Sequence, residues 1–378
     1  MTDRKNAKEP LFHIVKREGV PLGKRLIIYA STILLSLIFT GIFCAVTSED
    51  VDNPFEIFSS LFSGVLGTER RFWIFLRETA ILLGVSLAIL PAFKMKFWNL
   101  GANGQILMGC FVCTTLMINY GGKMADGVLI PLMIVCSVLA GAIWAVIPAI
   151  FKAFFNTNES LFTLMMNYLA EGLVIVAITI WAPMGSGSLS PIETVTIPDV
   201  FNPYMLAILV TAILTLFITL YMNKSKHGYE LSVVGESQKT AQYVGINVNK
   251  VIIRTLALSG AICGLIGLLL SGNIHHTVNS TMHANMGFTA IMTTWLAKFN
   301  PLILIGTTAL ITFISRGMIQ ARKDFGFYND AIANVAMGII YFFIISSDFF
   351  INYKIIFHKK PAKAVGEVKE KNDKGGKD

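Results

Sequence analysis

Apolar runs of about twenty residues recur along most of the chain and alternate with short polar segments. A hydrocarbon core of about 30 Å is crossed by about twenty apolar residues in a helix. The pattern therefore predicts helical spans over 26–46, 72–93, 128–150, 161–182, 204–222, 251–271 and 331–353. Two stretches break the rule. KMKFWNLGANGQ (94–105) places amides and glycines beside an apolar run, 106–118, too short to span alone. GFTAIMTTWLAKFNP (287–301) divides a second stretch, 286–315, at Lys298, Phe299, Asn300 and Pro301. Irregular backbone at membrane depth is tolerated only where protein encloses it or it lines a cavity. Interrupted segments at corresponding places in two halves point to a transport site. The expected fold is an all-α polytopic membrane protein with about ten transmembrane or re-entrant helical elements in two weakly repeated halves.

The polar segments set the topology. Glu49, Asp50, Asp52 and Glu56 make an acidic outer loop, and Phe55, Ile57, Phe58, Leu61 and Phe62 predict a segment lying along the membrane interface. The Pro-, Gly- and Ser-rich stretch 183–203 has no Lys or Arg and reads as outer. Residues 316–330 are expected as an outer loop, although Arg316, Arg322 and Lys323 run against the charge rule there. The longest polar stretch between apolar blocks, 227–250, is expected inside. Within it residues 236–243 predict one short helix bounded by Gly235 and Gly245. A helix of that length is marginal alone and needs a partner surface.

Composition sharpens this picture. The chain is 54% hydrophobic and 14% charged, about half the charged share of a soluble domain. Its formal net charge of +8 comes from Lys and Arg at the two ends and in connecting loops, a positive-inside pattern with no nucleic-acid role. Residues 1–25 read as a cytoplasmic N-terminal tail, 26–353 as the transmembrane domain and 354–378 as a basic cytoplasmic tail expected to be disordered. No small-residue cleavage site precedes the acidic loop, so the first span reads as an anchor.

Candidate chemistry is sparse. Cys44, Cys110, Cys113, Cys136 and Cys263 lie in apolar segments and read as small hydrophobes. His275, His276 and His283 share an outer loop with no Cys or nearby carboxylate, a poor metal signal. GVPLGKR (19–25) is one residue short of a phosphate loop and carries Arg25 where Ser or Thr would hold Mg²⁺. No catalytic residues, metal site or chain-bound cofactor is expected, and the chain does not read as an enzyme. The candidate solute path is Phe97, Trp98, Asn99, Asn103, Gln105, Asn167, Phe288 and Thr289. Their amides can pair with the hydroxyls or amide-like edges of a neutral polar solute, and their rings can stack on it. The same amides can equally hydrogen-bond between helices.

Gly228, Val234, Gly235, Glu236, Ala241, Gly245, Ile246, Asn247 and Val248 carry a family pattern. So do Trp98, Asn99, Gly101, Gly104 and Gln105, and so do Asn158, Glu159, Asn167 and Tyr168. From about residue 72 to about 310 the chain resembles the permease subunits of ABC importers of the nucleoside and simple-sugar type, in the branched-chain amino acid and ribose permease family. Trp98 replaces a usual phenylalanine, Asn103 a common glutamate, and Ser160 and Leu161 a valine and an isoleucine. LAKFNP stands in place of a glycine-arginine form. The resemblance implies that Gly228, Gly235, Glu236, Ala241, Gly245 and Ile246 form a coupling loop gripped by a separate ATP-binding subunit, which uses the ATP. It also implies a second permease subunit, a heterodimer being favoured over a homodimer, and an extracytoplasmic substrate-binding lipoprotein. The setting is the bacterial plasma membrane, with lipid as surroundings and no nucleic acid. The rival is an ion-coupled secondary transporter of a small polar solute. It needs an ionisable group deep in the bundle, and Glu78, Glu171 and Lys298, the candidates, are expected near span ends.

Overall fold

The computed structural model describes residues 12–17, 20–47, 56–183, 188–325 and 330–357. The chain divides into two compact units, one of residues 1–37 with 341–378 and one of residues 38–340.

In the first unit, strand β1 (Phe12–Lys16) pairs antiparallel with strand β2 (Tyr353–Phe357), Phe12 opposite Phe357 and Lys16 opposite Tyr353. Arg17 N–H extends the ladder to the Asn352 carbonyl at 2.8 Å. FHIVK and YKIIF are rich in β-branched and aromatic residues, which suit a pleated ribbon. This corrects the expectation at the C-terminal end, where 354–357 is strand and not disordered; β1 lies within the stretch 1–25 read as a cytoplasmic tail. In the two tails, residues 1–11, 18–19 and 358–378 lie outside the described residues. Helix α1 (Leu22–Thr47) begins in this unit and helix α13 (Asp330–Asn352) ends in it.

The second unit is helical. Its elements are α2 (Glu56–Leu66), α3 (Glu69–Lys94), α4 (Ala102–Tyr120), α5 (Asp126–Phe155), α6 (Glu159–Trp181) and α7 (Met205–Lys224). Then come α8 (Lys226–Glu236), α9 (Gln238–Tyr243), α10 (Val248–Leu269) continued by a π-turn (Leu270–Ile274), α11 (Met286–Leu296) and α12 (Pro301–Asp324). Seven helices among the described residues are long and apolar enough to cross a membrane. With α4, α11 and α13 added, the ten expected elements are all present as helices.

The interior is organised around α10, which packs on α3, α4 and α5. In its most apolar stretch 67% of residues are buried, against 22% in α5, whose outer face is aliphatic. Lipid tails supply no hydrophobic drive between helices, so close backbone approach supplies the packing. A Cβ on Gly260 would strike the Gly141 carbonyl and Ala145, and one on Gly264 would strike the Ser137 carbonyl. Helix α4 runs beside α10 in the same direction, with Asn99 at Ser259, Gly109 at Gly264 and Cys113 at Gly272.

Two further expectations change. Residues 316–324 are not loop, because α12 continues to Asp324 and Arg316 pairs with Glu78 of α3. Pairing offsets part of the cost of carrying an arginine in an apolar helix. Nor does α2 lie free along an interface. Leu61 is buried against Gly317, Gly64 sits on the Arg316 carbonyl, and Ser60 donates to Asp324 at 2.7 Å. Phe55 lies outside the described residues.

Gly260→Val is expected to cost roughly 3 kcal/mol by overpacking, read as a clear drop in melting temperature of the solubilised protein. Gly172→Val, at a position with nothing within 4 Å of its Cβ, should change stability by less than about 0.5 kcal/mol. Equal melting of the two variants would contradict the packing described.

Candidate functional site

Between α3 and α4 the chain leaves helical geometry over residues 95–101, with Lys96 at φ +59°. Backbone polar groups freed there need partners, each costing a few kcal/mol if buried unpaired. Asn99, Asn167 and Thr163 supply partners within the segment, and Asn103 and Gln105 tie its flank to neighbouring groups. Asn99 Oδ1 accepts from Gly101 N–H at 3.1 Å and from Gln105 Nε2 at 3.2 Å, while its Nδ2 donates to Ser259 Oγ of α10 at 3.2 Å. Asn167 of α6 accepts from Gly104 N–H at 2.8 Å and donates to the Leu100 carbonyl at 2.9 Å. Thr163 accepts from Leu100 N–H at 3.1 Å. Asn103 accepts from Gly287 N–H at 2.8 Å, joining the first turn of α4 to the first turn of α11. Gly104 and Gly287 admit this approach, since a Cβ on either would press on Asn167 or Asn103.

Of the expected path residues, Asn99, Asn103, Gln105, Asn167 and Phe97 are therefore enclosed and turned to protein. Trp98 and Phe288 are exposed, and Thr289 is half-buried. The outward face is built on α11. Phe288, Met292 and Trp295 share one side of that helix by their spacing. Thr293 and Thr294 turn the other side to α3, with Thr293 Oγ1 2.7 Å from Ser86 Oγ. Trp98 stacks on Trp295, ring centroids 5.6 Å apart and planes 27° from parallel. Phe93 meets Trp98 edge-on at 5.4 Å, and Phe299 meets Trp295 edge-on at 5.7 Å. Trp98 is 41% and Trp295 48% exposed. Trp295 was missed from the sequence, though its seven-residue spacing from Phe288 was a usable signal.

The polar segment after α7 forms two helices where one was expected. Ser225 Oγ caps α8 by accepting from Gly228 N–H at 3.0 Å, and Ser237 Oγ caps α9 by accepting from Thr240 N–H at 3.2 Å. Gly235 lies inside α8 and not at its boundary, because it rests on the Lys94 carbonyl of α3 where a Cβ would clash. Gly228 rests likewise on the Tyr221 and Met222 carbonyls. Leu231, Val234 and Ala241 are buried with Ala92, Met95, Phe97 and Leu256, and Ile246 packs against that cluster. Gly245, at φ +80°, and Glu236 are exposed. Tyr229, Tyr243 and Val244 point outward, Tyr243 being 90% exposed. At the root of the segment Glu230 binds Arg254 at 3.1 Å, with His227 at 3.7 Å and Lys226 at 3.9 Å. Burial pushes the Glu230 carboxyl up, but the Arg254 hydrogen bond and charge, helped by Lys226 and His227, bring it below its ordinary value. The seat of the two helices is thus continuous with the interruption: Gly235 touches Lys94, and the neighbouring Phe93 ring touches Trp98.

The acidic groups expected near span ends lie within helices. Glu78 pairs with Arg316, and Glu171, midway along α6, lies 3.4 Å from His283 Nε2. His283 Nδ1 accepts from Asn285 N–H at 3.0 Å, which directs its other nitrogen to Glu171. Among the described residues no group of three or more His, Cys, Asp or Glu is placed to hold a metal.

The family described as branched-chain amino acid transport system / permease component matches residues 70–345. The chain is 25% identical over 302 residues to the guanosine ABC transporter permease protein NupP of Bacillus subtilis, covering 77% of this chain and 85% of the relative. It is 25% identical over 344 residues to the glucose ABC transporter permease protein TsgB13 of Haloferax volcanii, covering 86% and 88%. It is 24% identical over 338 residues to the nucleoside ABC transporter permease protein NupB of Lactococcus lactis subsp. cremoris, covering 85% and 91%. No solved structure matches.

Asn167→Leu removes the partners of Gly104 N–H and the Leu100 carbonyl, at about 1–3 kcal/mol for each buried group left unpaired. Thermal unfolding in detergent should show that loss, and Tyr168→Leu, next along α6 and 61% exposed, should not. Matching curves for the two variants would mean that Asn167 does not hold the interruption.

Proposed function

This chain belongs to the branched-chain amino acid transport system permease family and is the membrane-spanning subunit of an ABC importer; on that footing, we propose that its cargo is a nucleoside or related simple sugar. Family membership sets aside the ion-coupled transporter. The cargo reading is supported by the relatives' names and by an outward site that offers aromatic faces with paired amides behind them. Such a site suits a neutral, ring-shaped polar solute.

In this reading ATP is bound and hydrolysed by a separate subunit, a second and non-identical permease completes the pore, and an extracytoplasmic lipoprotein delivers cargo. The observation that carries the coupling is the seating of α8 and α9. Their apolar side is buried against α3 and α10, while Tyr229, Tyr243 and Val244 are left outward for a groove on the ATP-binding subunit. Gly228, Gly235, Ala241 and Ile246 hold the element in place, and Glu236 and Gly245 lie towards its free side. The membrane is the bacterial plasma membrane and both termini are cytoplasmic. That orientation is supported by the basic ends and by the β1–β2 ribbon, which brings the two ends to one side as an even number of crossings requires.

Tyr243→Glu in the complete transporter is expected to lower uptake of labelled guanosine by roughly ten-fold or more at unchanged permease level, and ATP hydrolysis should no longer respond to cargo. Ala241→Glu buries a carboxylate and should yield no assembled permease. Wild-type uptake by Tyr243→Glu would remove the docking role, and guanosine uptake indifferent to ATP would remove the importer mechanism.

A further inference from the structure

The two interruptions of the chain meet at one place. Trp98 comes from the irregular segment between α3 and α4, and Trp295 from the last turn of α11 before the turn into α12. Their indoles stack at 5.6 Å, and both remain close to half exposed. Phe93 meets Trp98 and Phe299 meets Trp295 edge-on, at interplanar angles of 72° and 64°. Other outward faces mix aliphatic with phenylalanine side chains, as on α7 with Leu209, Ile213, Leu216, Phe217 and Leu220, and present no exposed tryptophan pair among the described residues. Those side chains suit lipid. The remaining tryptophans are otherwise engaged: Trp73 stacks on Tyr204, Trp181 on Phe111, and Trp144 donates to the Met166 carbonyl at 3.3 Å.

We propose that Trp98 and Trp295 form the surface on which the planar ring of a nucleobase stacks during passage, which makes Trp295 a specificity-determining residue of this permease. The proposal rests on the nucleoside reading above and narrows it. A purine or pyrimidine presents a flat π face that matches an indole, whereas a pyranose or furanose presents C–H edges over a smaller area. The two rings are braced before cargo arrives, so little conformational freedom is lost on stacking. Lys96 and Lys298 are exposed in the two turns that carry these rings, while the nearby amides are already paired. Asn300 is occupied in capping α12 through Leu302 N–H at 2.9 Å, and the buried amides behind the stack are consumed by backbone. Recognition at this point is therefore by shape and stacking, which tolerates more than one base.

The test is uptake of labelled guanosine and of labelled ribose by the complete transporter, comparing wild type with W295F, W295L and W98F. Removing an aromatic platform under one base costs roughly five- to a hundred-fold. W295L keeps apolar bulk without a ring and should lose guanosine uptake at subsaturating concentration by about ten-fold or more. W295F and W98F keep a ring and should stay within about three-fold of wild type. Any ribose uptake should be nearly the same in W295L as in wild type. If W295L carries guanosine as well as W295F does, the position needs only an apolar filler, as at a contact with the second permease, and the proposal is overturned. Parallel loss of guanosine and ribose in W295L also overturns it, pointing to a gate or a packing role. A wild type that takes up ribose and no guanosine overturns the base platform while leaving the simple-sugar reading intact. Uptake of neither solute removes the cargo reading itself, and the platform with it.

Discussion

Backbone N–H and C=O groups inside a membrane must find their partners within the protein, and the seven residues between α3 and α4 are where this chain meets that demand without a helix. Thr163 and Asn167 of α6 pair the Leu100 N–H and carbonyl, and Asn99 pairs the Gly101 N–H from within the segment, its amide held by Gln105. The solution fixes more than the loop. Because Asn99 reaches α10, Asn167 comes from α6, and Asn103 reaches the start of α11, the interruption registers three other helices against one another. Trp98, which takes no part in this network, is turned outward together with Lys96.

The same segment lies between the two surfaces proposed to take part in transport. On one side α8 rests on the Lys94 carbonyl through Gly235, where no side chain can intervene. On the other the Phe93, Trp98, Trp295 and Phe299 rings form a continuous aromatic run. Helix α8 thus meets α3 by backbone contact, and α3 meets the outward stack by ring contact. Packing behind them is close, since glycines on α4, α5 and α10 leave no slack between those helices.

The spans were legible because crossing a bilayer needs long apolar runs, and those runs survive any detail of packing. The interruption was legible for a related reason, as amides and glycines at membrane depth are too costly to be incidental. What the amides do was not legible. Asn99 and Asn167 have the same chemistry whether they face cargo or backbone, and only the fold places Leu100 and Gly104 within their reach. Arg316 looked like loop because its partner Glu78 lies 238 positions earlier in the chain. The β1–β2 ribbon escaped because each strand is too short to show a period on its own and gains its stability from residues at the opposite end of the sequence. Gly235 looked like a helix boundary by type, whereas its role is to admit a carbonyl from α3.

The central claim is that the outward face of α11 borders an aqueous solute path and not lipid. It is tested by placing single cysteines at Phe288 and Met292, and for comparison at Leu209 and Ile213 of α7, in a variant whose five native cysteines are replaced. Each is treated in membranes with a water-soluble maleimide. The account predicts rapid labelling at the two α11 positions, slowed by guanosine, and none at the two α7 positions. Equal protection of all four would place α11 against lipid or a sealed interface and would contradict it.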